Sequence, residues 1–183
     1  MKKQLTIIVA ISLIFTACIN SFEKEDKEID GLLNLVDGAE EVLLSVDTAK
    51  VFTVVRDIKK ELWNFGNKYD TLDKEAAFKV ADYYANKKSL YFLHKNYLTF
   101  KNEIALARTQ LKALKQDLHN GAITKEKFLE YYKNEQEIIV ALNDKINNAV
   151  NGIDISVDKL IEEKPAILSL LDKHRKDTAV ANE

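Results

Sequence analysis

Glycine and proline are scarce: five and one among 183 residues. Average usage would give the two together ~12% of a chain. A β-sandwich or barrel needs a turn every ~8–12 residues and is hard to build with so few breakers. Dinucleotide folds and P-loops need glycine-rich phosphate loops, and the chain has none. A single cysteine, Cys18, excludes a disulfide framework within the chain. Charge of one sign is lacking too, with 27 Lys and Arg against 29 Asp and Glu. Catalytic motifs are equally thin. His94, His119 and His174 have Tyr91, Gln116 and Leu171 three residues before them, so the Glu-x-x-His pairs of di-iron bundles do not occur. Gly-x-Ser-x-Gly is absent. Ser21/Lys24 and Ser156/Lys159 match Ser-x-x-Lys, but the Ser-Asp-Asn and Lys-Thr-Gly companions are missing. No catalytic, cofactor or metal site is expected, and the chain reads as a non-enzyme.

The amino terminus carries an address. Met1-Lys2-Lys3 precedes a 13-residue apolar run, Leu5 to Ala17. Crossing ~30 Å of hydrocarbon takes about 20 residues, so this run is too short for a membrane helix. A basic segment before an apolar stretch of ~7–15 residues is a secretory signal. Phe15-Thr16-Ala17-Cys18 resembles the lipobox of bacterial lipoproteins, with Phe15 where Leu is usual. That resemblance implies cleavage by signal peptidase II before Cys18, a diacylglyceryl group on its thiol and, usually, an acyl chain such as palmitate on the new amine. One chain anchors only marginally, whereas two or three hold firmly. In signal, size and helical content the chain resembles the small helical lipoproteins of diderm bacteria. The resemblance implies a cell-envelope address, at the surface or periplasmic face of the outer membrane. Only Cys18 is carried over from it. The expected layout is a signal peptide over 1–17, a lipidated tether over 18–28, one helical bundle over 29–176 and a frayed tail over 177–183.

Helical periodicity fills the rest. Ile29, Leu32, Val36, Ala39, Leu43 and Val46 form one stripe, and Val51, Val54, Ile58, Leu62 and Phe65 continue it after a phase shift. This predicts a first helix from about Ile29 to Phe65, ended at Gly66-Asn67, with Asp70 or Thr71 capping the next. Leu90, Leu93, Tyr97, Phe100, Ile104, Ala107, Leu111, Leu114 and Leu118 alternate spacings of three and four. Nine such positions at a mean period of 3.5 predict a coiled-coil seam. Extended back to Leu72, this second helix would be roughly 70 Å long at 1.5 Å per residue. Asn120-Gly121 ends it. Thr124 caps a third helix whose seam holds Tyr132, Glu135, Ile139, Leu142, Ile146, Ala149 and Ile153. After Asn151-Gly152 a fourth helix is expected from about Ser156 to Lys176, with Pro165 kinking it or starting its second half.

Charge suggests the pairing. Residues 23–47 hold nine acids against Lys24 and Lys27. Residues 83–116 hold Lys87, Lys88, Lys95, Lys101, Arg108, Lys112 and Lys115 against Glu103. Folding the first two helices back on each other lays these stretches side by side, as flanking charges do in coiled coils. The expected fold is all-α: an antiparallel helical hairpin with a coiled-coil seam, closed into a three- to four-helix bundle.

One stretch suggests more than scaffold. Phe78, Tyr83, Tyr84, Tyr91, Phe92, Tyr97 and Phe100 place seven of the sixteen aromatics within 23 residues, interleaved with Lys87, Lys88 and Lys95. Basic-aromatic interleaving suits single-stranded nucleic acid, but a net acidic chain with an export signal argues against that partner. Tyr97 and Phe100 fall on the seam. Tyr84, Tyr91 and Phe92 fall off it and are candidate partner-binding residues, since tyrosine is favoured at interfaces. Trp63, Phe65 and Tyr69 would extend the patch. The functional expectation is a binding or adhesion module at the cell surface, tied to the membrane by its lipid and meeting a protein partner. A periplasmic structural or chaperone-like adaptor is the alternative. Replacing the lipidated residue, Cys18→Ala, should abolish palmitate labelling and release the protein from membranes, both read from fractionated cells; continued labelling would refute the lipobox.

Overall fold

A computed structural model of the chain describes residues 22–66 and 72–180. The signal segment, Cys18, Tyr69, Asp70, Thr71 and residues 181–183 lie outside the described residues. Six helices follow one another: α1 Glu23–Leu44, α2 Thr48–Gly66, α3 Lys74–Ala85, α4 Lys87–His119, α5 Lys125–Val150 and α6 Ile153–Val180. Among the described residues there is no strand. The helices form three arms, α1–α2, α3–α4 and α5–α6, each broken once.

The seam on α4 organises them. Leu90, Leu93, Phe100, Ile104, Ala107, Leu111, Leu114 and Leu118 are buried, and Tyr97 is half-buried. α4 touches all five other helices. Its C-terminal part packs with α1 and α5, and its N-terminal part with α2, α3 and α6. Ile29, Leu32, Val36, Ala39 and Leu43 from α1, and Phe128, Ile139, Leu142 and Ile146 from α5, join the same core. Each fully buried aliphatic side chain contributes roughly 1.5–3 kcal/mol.

The acidic and basic stretches meet as charge complementarity requires. Arg108 Nη2 lies 2.7 Å from Asp37 and 2.6 Å from Glu40. Lys115 lies 2.9 Å from Asp30, and His119 Nε2 lies 2.8 Å from Asp26. Partner numbers fall along α4 as they rise along α1, so the arms are antiparallel. Phe52 continues that order on α2, packing edge-on against His94 and Tyr97. Glu25–Lys125, Lys50–Asp158 and Asp57–Lys164 set the third arm parallel to the first. Each exposed pair is worth only ~0–1 kcal/mol. Their shared register is what matters, because slipping one arm would break all of them.

The helix boundaries differ from the sequence reading at the breaks. The first helix is two: Ser45 to Asp47 interrupt it, and the Asp47 carboxylate accepts the Lys50 N–H at 2.9 Å as a new cap. This break absorbs the phase shift between the two apolar stripes. Residues 23–28, expected as tether, are the first turns of α1. Glu23, Glu25 and Asp26 sit in its first turn, where the helix dipole favours acids, and Glu25 is buried against Lys125. The second helix is nicked at Asn86, whose side-chain amide donates back to the Asp82 and Tyr83 carbonyls. The cap of α3 is Asp73, accepting from Ala76 N–H at 2.9 Å, rather than Asp70 or Thr71. Thr124 caps α5 as expected. Gly121 closes α4 with φ +67°, in a Schellman arrangement of Gly121 N–H to Leu118 O and Ala122 N–H to Asp117 O. Gly152 at φ +70° stops α5, and α6 starts at once at Ile153, earlier than Ser156. α6 runs through Pro165 to Val180, past the expected start of the frayed tail.

Glu135 is the one acid at a seam position. It is half-buried, and its Oε2 has no hydrogen-bond partner among the described residues. Burial pushes its carboxyl above the usual range. A carboxyl raised in the folded state destabilises the fold as pH climbs through the unfolded value and on through the folded one. Glu135→Gln should therefore raise Tm at neutral pH, with the gain vanishing below the ordinary carboxylate range. Ile104→Asp places an unpaired charge at a site 1% exposed. It should cost about 3 kcal/mol or more, seen as a large drop in Tm. An unchanged Tm would remove Ile104 from the core.

Candidate functional site

The three partner-binding candidates do not share a face. Tyr84 is buried at 6% exposure, its ring 4.8 Å from Tyr83 and capped by Lys87. This corrects its expected place in a groove. The nick at Asn86 rephases the arm, so a position off the α4 seam becomes a core position of α3. Phe92 is 47% exposed and leans on Phe100, whose own ring is buried. Tyr91 alone lines a groove.

That groove runs between α2 and α4. Val55, Lys59, Tyr91, His94 and Lys95 line a cavity of about 450 Å³. Lys59 Nζ sits 5.5 Å from the Tyr91 ring centre, a cation–π distance. The Tyr91 hydroxyl is buried without a hydrogen-bond partner among the described residues, and burial followed by the Glu61 charge pushes its pKa up. Arg56 and Trp63 lie one turn to either side of Lys59, and Trp63 is 73% exposed. On α4, Lys87, His94 and Lys101 repeat every seven residues, as do Lys88 and Lys95. No acid occurs from Lys87 to Asn102.

A second cleft opens on the other side of α2, against α6. It measures about 410 Å³, within the range of small-molecule sites. Val54, Ile58, Leu160 and Ile161 give it apolar walls. Asp57, Glu61, Tyr83 and Lys164 meet at one end. Lys164 Nζ lies 2.7 Å from Glu61 Oε1 and 3.0 Å from Asp57 Oδ2. The Tyr83 hydroxyl faces Glu61 Oε2 at a long 3.4 Å. Burial first, then the Glu61 charge, pushes the Tyr83 pKa well up, so its proton stays on. Burial alone would lower Lys164, but hydrogen bonds to Glu61 and Asp57 outweigh it and hold the ammonium above its usual value. Lys50, 2.6 Å from Asp158, stands elsewhere on the cleft lining.

Sequence reasoning passed over Asp57, Glu61 and Lys164. They come from two arms more than a hundred residues apart, and no local motif announces such a meeting. The i,i+4 spacing of Asp57 and Glu61 was the only trace, and it is common on solvated helix faces. Among the described residues no three His, Cys, Asp or Glu side chains cluster as a metal site would require. Comparison with known proteins yields no matching family model, no matching curated protein and no matching solved structure.

Proposed function

We propose that this chain is a lipid-anchored protein of the bacterial cell envelope, acting as a binding module at the cell surface that holds an acidic partner protein along the α2/α4 flank. The observation that carries the reading is the run of unneutralised cations there. Arg56, Lys59, Lys60, Lys87, Lys88, Lys95 and Lys101 have no ion-pair partner among the described residues. Along α1, by contrast, Asp26, Asp30, Asp37 and Glu40 are paired with α4.

Bare cations crowded on one flank repel one another and raise the potential there, which attracts an acidic surface and speeds encounter. Tyr91 and Trp63 add flat, amphipathic contact area of the kind that dominates binding energy. The lipobox at Cys18 supplies the anchor in this reading. Cys18 lies close in sequence to the start of α1, and α1 alone is 22 residues, roughly 33 Å. The flank on α2 thus stands well beyond the anchored end. No described helix is long and apolar enough to cross a membrane.

Protease shaving of intact cells tests the address. Loss of the protein while a periplasmic control survives is the expected result. Full protection, with the purified protein cut by the same protease, would move the reading to the periplasmic adaptor. A photocrosslinking residue at Lys95 should yield adducts on intact cells, with few at Lys133 on α5. The adducts should fade at about 0.5 M salt, where the screening length falls to roughly 4 Å from ~8 Å at physiological salt. Equal adducts at both positions would remove the flank as the contact surface.

A further inference from the structure

The α2/α6 cleft lies on the opposite side of α2 from the basic flank, and its chemistry is of the opposite kind. Its polar end holds two carboxylates, Asp57 and Glu61, but one ammonium, Lys164. The cluster therefore carries one uncompensated negative charge. Glu61 is poorly placed to shed that excess into water, with its side chain only 12% exposed. A charge imbalance in a partly desolvated site is unfavourable until a counter-charge arrives.

We propose that this cleft binds an amphipathic amine, with its ammonium at Asp57 Oδ1, the oxygen that Lys164 leaves open, in the field of Glu61, and its apolar body along Val54, Ile58, Leu160 and Ile161.

Each half of that ligand has a partner in the cleft. Asp57 receives one contact, from Lys164 at Oδ2, and its side chain is 43% exposed, so acceptor capacity remains. Tyr83, holding its proton, offers an oxygen lone pair beside Glu61. Apart from Lys164, the cation that lines the cleft, Lys50, is already engaged. Lys50 is held by Asp158, and Lys159 lies 3.6 Å from Asp82 and 4.0 Å from Glu163. An anionic ligand would have to break one of these pairs, whereas a cationic one breaks none. Ile161 is 45% exposed on the cleft wall, so an apolar body laid there removes hydrocarbon from water. Pro165 has no N–H to give the Ile161 carbonyl, which leaves an α6 acceptor without its usual helical donor.

The test uses three probes of one chain length: n-octylamine, n-octanol and octanoate. Each is titrated calorimetrically into the purified chain at neutral pH, below its aggregation concentration. The amine should bind at least about tenfold more tightly than the alcohol, with octanoate weakest. Asp57→Asn should bring the amine close to the alcohol while leaving the alcohol unchanged. Glu61→Gln should do the same; if that variant fails to fold, Asp57→Asn at its more exposed site still decides the matter. Thr53→Trp, at an exposed lip of the cleft, should block all three probes with Tm retained. Equal affinity for the three, preference for octanoate, absence of binding by the amine, or amine binding undiminished in Thr53→Trp would each overturn the proposal. None of these results bears on the α2/α4 flank, whose crosslinking is read separately.

Discussion

Burial of one apolar stripe on α4 is the constraint on which the rest depends. The stripe runs from Leu90 to Leu118, and every other helix packs on α4. A helix of 33 residues cannot hide such a stripe against itself, and in water it would expose eight large apolar or aromatic side chains and Ala107. Two neighbours are needed to cover it, one on each flank. A three-armed bundle meets that requirement, and the cross-arm ion pairs show the first and third arms running parallel to each other and antiparallel to α4.

Charge then decides how the arms slide. The acids of α1 find Arg108, Lys115 and His119 two turns and then one turn apart along α4, and the contacts share one register. The hydrogen bond from His119 holds the Asp26 carboxyl below its usual range, so this pairing favours the ionised form. Pairing of α4 cations with acids of the first arm stops near the Ser45–Asp47 break. Beyond it, α2 brings Arg56, Lys59 and Lys60 toward an α4 segment that is itself basic. The bundle thus has one half in which α1 acids meet α4 cations and a second in which α4's lysines find no acid on α2 among the described residues. Both grooves described above lie in the second half, on either side of α2, and each uses a different flank of the same helix.

The helical class, the α4 seam, the Thr124 cap and the glycine stops were legible because each is a local signal. Periodicity of three and four reports which side of a helix is apolar, and Gly121 and Gly152 adopt the left-handed φ that their position after a helix suggests. The α1–α4 pairing was legible for a different reason: nine acids in one stretch and seven bases in another leave few alternatives. The breaks were less legible. Ser45 and Asn86 interrupt helices through side-chain bonds to their own backbone, and residues of that kind also sit harmlessly inside helices. Tyr84 was misplaced for that reason, since its face was reckoned from the α4 seam across a nick that resets the phase.

The sequence by itself determined that the chain is helical, that α4 is its spine, and that α1 lies antiparallel upon it. These follow from spacing and charge along single segments, which fold geometry translates directly into faces. Only the tertiary structure decided that Tyr84 lies inside while Tyr91 lines a groove, that Lys95 of α4 and Lys59 of α2 share that groove with no acid in its lining, and that Asp57, Glu61, Tyr83 and Lys164 share one cleft. The physical reason is that a helix converts sequence spacing into angle with little error, whereas the meeting of three arms depends on the small rotations introduced at each break.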